Sequence, residues 1–119
     1  CYGYAVYVQD KRGGYPFLDA LGDTVADQLS IEYAQPGLTP DALRPIAHKT
    51  VVLGVLDLSS AEPEPVGRIA DRLRAALDVV PADRLLAAPD CGMKFLSRAS
   101  ARERLAAMVE AAAVVRAEL

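Results

Sequence analysis

Thr50-Val51-Val52-Leu53-Gly54-Val55-Leu56-Asp57-Leu58 is a nearly unbroken run of β-branched and aliphatic residues, and its reading decides the fold class. A strand wet on one side alternates apolar with polar residues. A run without alternation predicts a strand covered on both faces, as in a parallel sheet flanked by helices. Two more strands are expected on either side of it. Leu29-Ser30-Ile31-Glu32-Tyr33-Ala34 is stopped by the turn residues Gln35-Pro36-Gly37. Leu85-Leu86-Ala87-Ala88 ends at Pro89-Asp90-Cys91-Gly92.

Helical patterns fill the intervals. Val66, Ile69, Ala70, Leu73 and Leu77 follow the i, i+3, i+4, i+7 rule, with Ser59 and Glu62 at capping-box spacing and Pro63 and Pro65 ahead. Ser100 and Glu103 repeat the box before a last helix whose apolar stripe is Leu105, Met108, Val109, Ala112 and Val115. Phe17, Leu18, Leu21 and Val25 mark a weaker helix, and Thr39-Pro40-Asp41 starts a short one. The order αβαβαβα, with crossover-length connections, is that of an α/β fold. An open doubly wound sheet and an arc of a (β/α)8 barrel both fit it, the arc needing more strands upstream to close.

The chain has 119 residues, of which 52% are hydrophobic and 24% charged, a balance that excludes disorder. Its length is that of one domain or a part of one. No apolar run reaches the roughly 18 residues of a membrane span. A net charge of −3 offers no basic footprint for nucleic acid or an anionic membrane. Two cysteines, Cys1 and Cys91, cannot build a disulfide scaffold, so the chain reads as reduced and cytoplasmic. It opens on cysteine without a signal-peptide layout, and is expected to be the C-terminal part of a longer polypeptide.

In both architectures ligands gather at the C-terminal ends of the strands. That rule selects Glu32, Asp57 and Asp90-Cys91-Gly92, and Cys1 if it ends an upstream strand. Two thiols and one or two carboxylates on one rim are a donor set for zinc. Without CxxC or HExxH the ligands must converge from different strands. Each residue also has a structural reading: the cysteines as small buried apolar groups, Glu32 as an edge-strand carboxylate in water, Asp57 as a cap for the next helix. His48 precedes a strand at the wrong end for catalysis and reads as a surface loop residue. Asp10-Lys11-Arg12-Gly13-Gly14 reads as a flexible, solvated loop.

Several segments stand in a familiar order. Cys1-Tyr2, Gln28-Leu29-Ser30-Ile31-Glu32, Thr50 through Asp57, Val80-Pro81-Ala82-Asp83-Arg84-Leu85, and Pro89-Asp90-Cys91-Gly92-Met93-Lys94 are followed by Met108-Val109-Glu110-Ala111-Ala112 and Arg116. Over nearly its whole length the chain resembles the C-terminal catalytic barrel of cobalamin-independent methionine synthases. The Pro-Asp-Cys-Gly run with a basic residue after it is the most specific piece.

The resemblance implies that residues 1–119 are the C-terminal arc, about three parallel strands with helices, of one (β/α)8 TIM barrel domain. It implies Zn2+ held by Cys1, Glu32 and Cys91, with a histidine two positions before Cys1. Glu32 and Asp57 are the expected catalytic residues. The implied reaction moves a methyl group from a methylated folate-type donor to the homocysteine thiol, giving methionine. The alternatives are zinc-dependent alkyl transfer to another small thiol such as coenzyme M, or a non-catalytic fragment. Two departures fall near the rim: Leu56-Asp57-Leu58-Ser59 stands where the family has Tyr-Asp-Ile-His, and the segment around Tyr7 to Gly14 is longer. Both bring the chain closer to the shorter, core-type relatives.

Overall fold

The computed structural model describes residues 3–4, 6–8, 10–11 and 14–119. Its helices are Leu18–Gly22 (α1), Val66–Leu77 (α2) and Arg98–Arg116 (α3), and its strands Gln28–Glu32 (β1), Thr50–Leu56 (β2) and Leu85–Pro89 (β3). Short 3-10 segments cover Pro40–Ile46 and Ala82–Arg84. The strands form one parallel sheet in the order β1-β2-β3. All three C-terminal ends therefore lie on one rim.

Register divides the sheet into two faces. Leu29 pairs with Val51, Ile31 with Leu53, and these with Leu85 and Ala87, so all six side chains share a face. That face packs on Ile69, Leu73 and Ala76 of α2 and Ala111 and Val115 of α3 in one core. The other face carries Ser30, Val52 and Leu86, and among the described residues no helix covers it: Ser30 is exposed and Leu86 is 49% exposed. The unbroken apolar run of β2 predicts burial on both sides. Here one side is helix-covered and Val52 remains half-buried.

Helix starts differ from the capping-box reading. Ser97, not Ser100, caps α3, its side chain accepting the Ser100 N–H at 3.1 Å. The Ser100 hydroxyl is taken by Arg104 Nε instead. The Ser59–Glu62 box does not form, because Ser59 turns back onto Asp57 and α2 starts only after Pro65. Its anchor is Glu64, which pairs with Arg72 through two bonds of 2.7 Å.

The inward face of α3 is rotated from the expected stripe. Arg104, Ala111 and Val115 are buried, whereas Leu105 and Val109 are exposed. Arg104 is drawn inward by backbone carbonyls of the loop after β2. A guanidinium has five N–H donors in a rigid fork, and the bare carbonyls of an irregular loop suit it.

Candidate functional site

Glu32 is the last residue of β1, on the face that the helices leave uncovered, yet it is 1% exposed. What covers it is the segment before α1. Lys11, 3% exposed, sets its ammonium 2.5 Å from Glu32 Oε2 and donates a second bond of 2.7 Å to the Gly3 carbonyl. The Glu32 N–H donates to the Tyr15 hydroxyl at 2.7 Å. Lys11 is thus an internal counter-ion, which corrects its reading as part of a flexible, solvated loop; Arg12 and Gly13 of that loop lie outside the described residues. Composition alone hid this, since a Lys-Arg-Gly-Gly run beside an aspartate is the usual make-up of a wet loop.

Asp90, directly after β3, reaches across the rim to β1. Its Oδ1 accepts the N–H groups of Tyr33 and Ala34 at 3.3 and 3.1 Å, and its Oδ2 accepts that of Gln35 at 2.6 Å. Burial pushes the Asp90 carboxyl up to about 7, and the Glu32 charge adds to the rise, while the three N–H donors pull the other way. The crossing is possible because residue 54 of the intervening strand is glycine. A Cβ there would stand 2.7 Å from Asp90 Cα and 2.9 Å from the Ile31 carbonyl oxygen. The missing side chain lets the ends of β1 and β3 meet over β2, and a register shift between Gly54 and Leu56 accompanies it. Half-buried Cys91 follows Asp90 at this meeting point.

Asp57 stands on the same rim, one residue past β2. Its Oδ1 accepts both the N–H and the hydroxyl of Ser59, at 2.8 and 2.6 Å, and its own N–H donates to Glu64. The carboxylate engages a local turn and does not cap the next helix, whose N-cap is Pro65. Arg104, 1% exposed, fixes that loop from behind by donating to the carbonyls of Asp57, Ser60 and Ala61 at 3.3, 2.7 and 3.0 Å. Burial also raises the Tyr33 hydroxyl pKa, which the Arg72 charge partly offsets. Arg72 itself loses some affinity for its proton to burial and regains more from Glu64, Asp90 and Asp57 together.

An aromatic cleft opens at Gly92, the residue after Cys91. Tyr4 lies edge-on to Phe95 at 4.8 Å, Lys94 Nζ sits 5.0 Å from the Tyr4 ring centre, and Leu58, Ser59 and Gly92 complete the wall. His48 is exposed at the opposite end of β2, with Nε2 3.2 Å from the Gly22 carbonyl oxygen.

Of the expected zinc ligands, Glu32 and Cys91 are brought to one rim, and Cys1 lies outside the described residues. Among the described residues no three His, Cys, Asp or Glu side chains cluster as a metal site. The donor types are nonetheless ones that zinc takes: the Glu32 carboxylate at the end of β1 and the Cys91 thiol just past β3 lie on one rim.

Parallel strands with crossover helices, and polar groups gathered at the strand C-termini, define an α/β barrel-type unit with a rim site. Residues 15–114 match the family described as the catalytic domain of cobalamin-independent synthase, and the chain belongs to that family. It is 31% identical to a methionine synthase of Sulfolobus acidocaldarius over 119 residues, covering 100% of this chain and 32% of that protein. It is 46% identical over 66 residues to the 2-hydroxypropyl-CoM lyase of Xanthobacter autotrophicus, covering 56% of this chain and 18% of the lyase. The structure of a B12-independent methionine synthase from Shewanella sp. W3-18-1, in complex with selenomethionine, superposes with a TM-score of 0.89 at 29% identity, over 99% of this chain and 37% of that one. The fold is therefore an arc of that barrel. The chain spans about a third of the length of the methionine synthases it matches.

Proposed function

We propose that the chain is part of a single barrel catalytic domain that transfers a methyl group to the thiol of homocysteine in the cytoplasm, with zinc held by Cys1, Glu32, Cys91 and a residue outside this chain. The observation that supports the reading is that buried Glu32, at the end of β1, and half-buried Cys91, just past β3, lie on one rim, with Asp90 beside Cys91 crossing Gly54 to bond the residues after Glu32. Zinc bound there supplies a way to keep a thiol as its thiolate at neutral pH, where a thiol of pKa about 8.5 is otherwise mostly protonated.

The chain's own residues do the rest. Asp90 ties the Cys91 end to residues 33–35 and so holds the two donor-bearing strand ends together. Glu32, buried and held by Lys11, would present its carboxylate to that zinc. Asp57, steadied by Ser59 and by the Arg104 clamp on its loop, supplies a second carboxylate for contact with substrate. The sulfur, having given up its proton, forms its bond to the methyl carbon as the bond from that carbon to the donor nitrogen breaks, and the nitrogen keeps the electron pair and takes up one proton. Tyr4, Phe95 and Lys94 give the donor a wall of ring edges and one positive charge, matching a methylated folate-type molecule.

The likeness to 2-hydroxypropyl-CoM lyase supports a second reading, in which coenzyme M is the thiol. Assay of the full-length protein, with the residues outside this chain present, with each thiol and methyltetrahydrofolate, alongside metal analysis, separates the two. Homocysteine methylation that disappears with zinc in Cys91→Ser is the expected result. Turnover with coenzyme M alone favours the second reading. Normal zinc content in Cys91→Ser refutes the ligand assignment.

A further inference from the structure

We propose that Lys11 is a built-in stand-in for the metal: its ammonium neutralises Glu32 when no dication is bound, and so sets how tightly zinc is held. The inference rests on the zinc reading above. Three observations carry it. Lys11 and Glu32 are both almost fully buried, at 3% and 1% exposure, and their charged atoms stand 2.5 Å apart. A carboxylate so deeply buried is stable only with a counter-charge. Lys11 also grips the Gly3 carbonyl, two residues from Cys1, at 2.7 Å. One ammonium therefore ties the Cys1-bearing segment to the end of β1, the same two pieces that a shared metal would join.

The consequence is a competition. A dication at Glu32 takes over the compensation that Lys11 supplies, and meets like-charge repulsion from the ammonium beside it. Lys11 stabilises the metal-free protein more than the loaded one, so it weakens the metal's hold while keeping the empty rim assembled.

The test compares wild type, Lys11→Met and Lys11→Met/Glu32→Gln in the full-length protein that carries the residues outside this chain. Zinc dissociation constants are read by chelator competition at one fixed pH, and melting temperatures with and without zinc. Lys11→Met is expected to melt lower without zinc, to gain more in melting temperature on zinc addition than wild type, and to bind zinc at least about tenfold more tightly. The double variant is expected to recover much of the metal-free melting temperature, since no buried charge is left unpaired, and to lose the added affinity. A Lys11→Met protein that folds only with zinc also supports the proposal.

Zinc bound by wild type but equally or more weakly by Lys11→Met overturns the proposal and leaves the zinc reading standing. So does a Lys11→Met chain that stays unfolded with zinc, or a double variant no more stable without metal than the single one. Wild type that binds no zinc overturns both.

Discussion

Replacing Gly54 by alanine sets two effects of opposite sign against each other. Gly54 is not among the glycines with positive φ, so its backbone conformation is open to any residue. On chain entropy alone, alanine there stabilises by about 0.4–1 kcal/mol. Against that, the new methyl would collide with Asp90 Oδ1 and stand 2.7 Å from Asp90 Cα and 2.9 Å from the Ile31 oxygen, where ordinary contact begins at 3.4 Å. The carboxylate oxygen could move, but the other two are backbone atoms and cannot swing aside as a side-chain tip would. Overpacking of this kind costs about 1–3 kcal/mol. Spreading β1 from β3 also stretches the three Asp90 hydrogen bonds, each worth about 1 kcal/mol.

The steric side wins, with a net loss of about 2–4 kcal/mol. For a chain of this size that is a fall of roughly 8–20 °C in melting temperature. Urea unfolding followed by circular dichroism reads it, provided the m-value is unchanged. Gly67→Ala is the internal control: Gly67 is exposed on α2 with nothing within 4 Å of the added methyl, so helix propensity predicts a gain of up to about 1 kcal/mol. A Gly54→Ala chain as stable as wild type would refute the claim that the two strand ends meet through the missing side chain.

Asp90→Ala strands the N–H groups of Tyr33, Ala34 and Gln35 and is expected to cost about 3 kcal/mol or more, whereas Asp90→Asn, which keeps one acceptor oxygen, costs less. Amide hydrogen exchange at residues 33–35 is the measurement, and unchanged protection in Asp90→Ala would contradict the crossing. Arg104→Met removes the donors to the Asp57, Ser60 and Ala61 carbonyls, with an expected loss of about 2 kcal/mol and faster proteolysis within residues 57–61. Equal cleavage rates in the two proteins would show that Arg104 does not hold that loop.

Periodicity in the chain determines the elements. Unbroken aliphatic character at 50–56, turn residues after Glu32 and Pro89, and apolar spacing through 66–77 are local signals, and the strands and α2 appear where those signals put them. The parallel order also follows from sequence, because crossover-length connections between consecutive strands leave little else. With that topology the rim positions of Glu32, Asp57 and Cys91 are legible as strand-end residues, before any side chain is placed.

Tertiary structure alone decided which groups oppose one another there. Lys11 is a loop lysine by composition and becomes a buried counter-ion only because β1 ends in a carboxylate under the same segment. Arg104 sits one residue from the expected apolar stripe and turns inward because irregular backbone, 43 to 47 positions away, needs donors. Gly54 is one more small residue in a strand until Asp90 passes over it. Spacing along a chain encodes which face a residue takes, a property of its own element. Pairing of a buried charge depends on the distance to groups on other elements, and sequence separation carries no record of that distance.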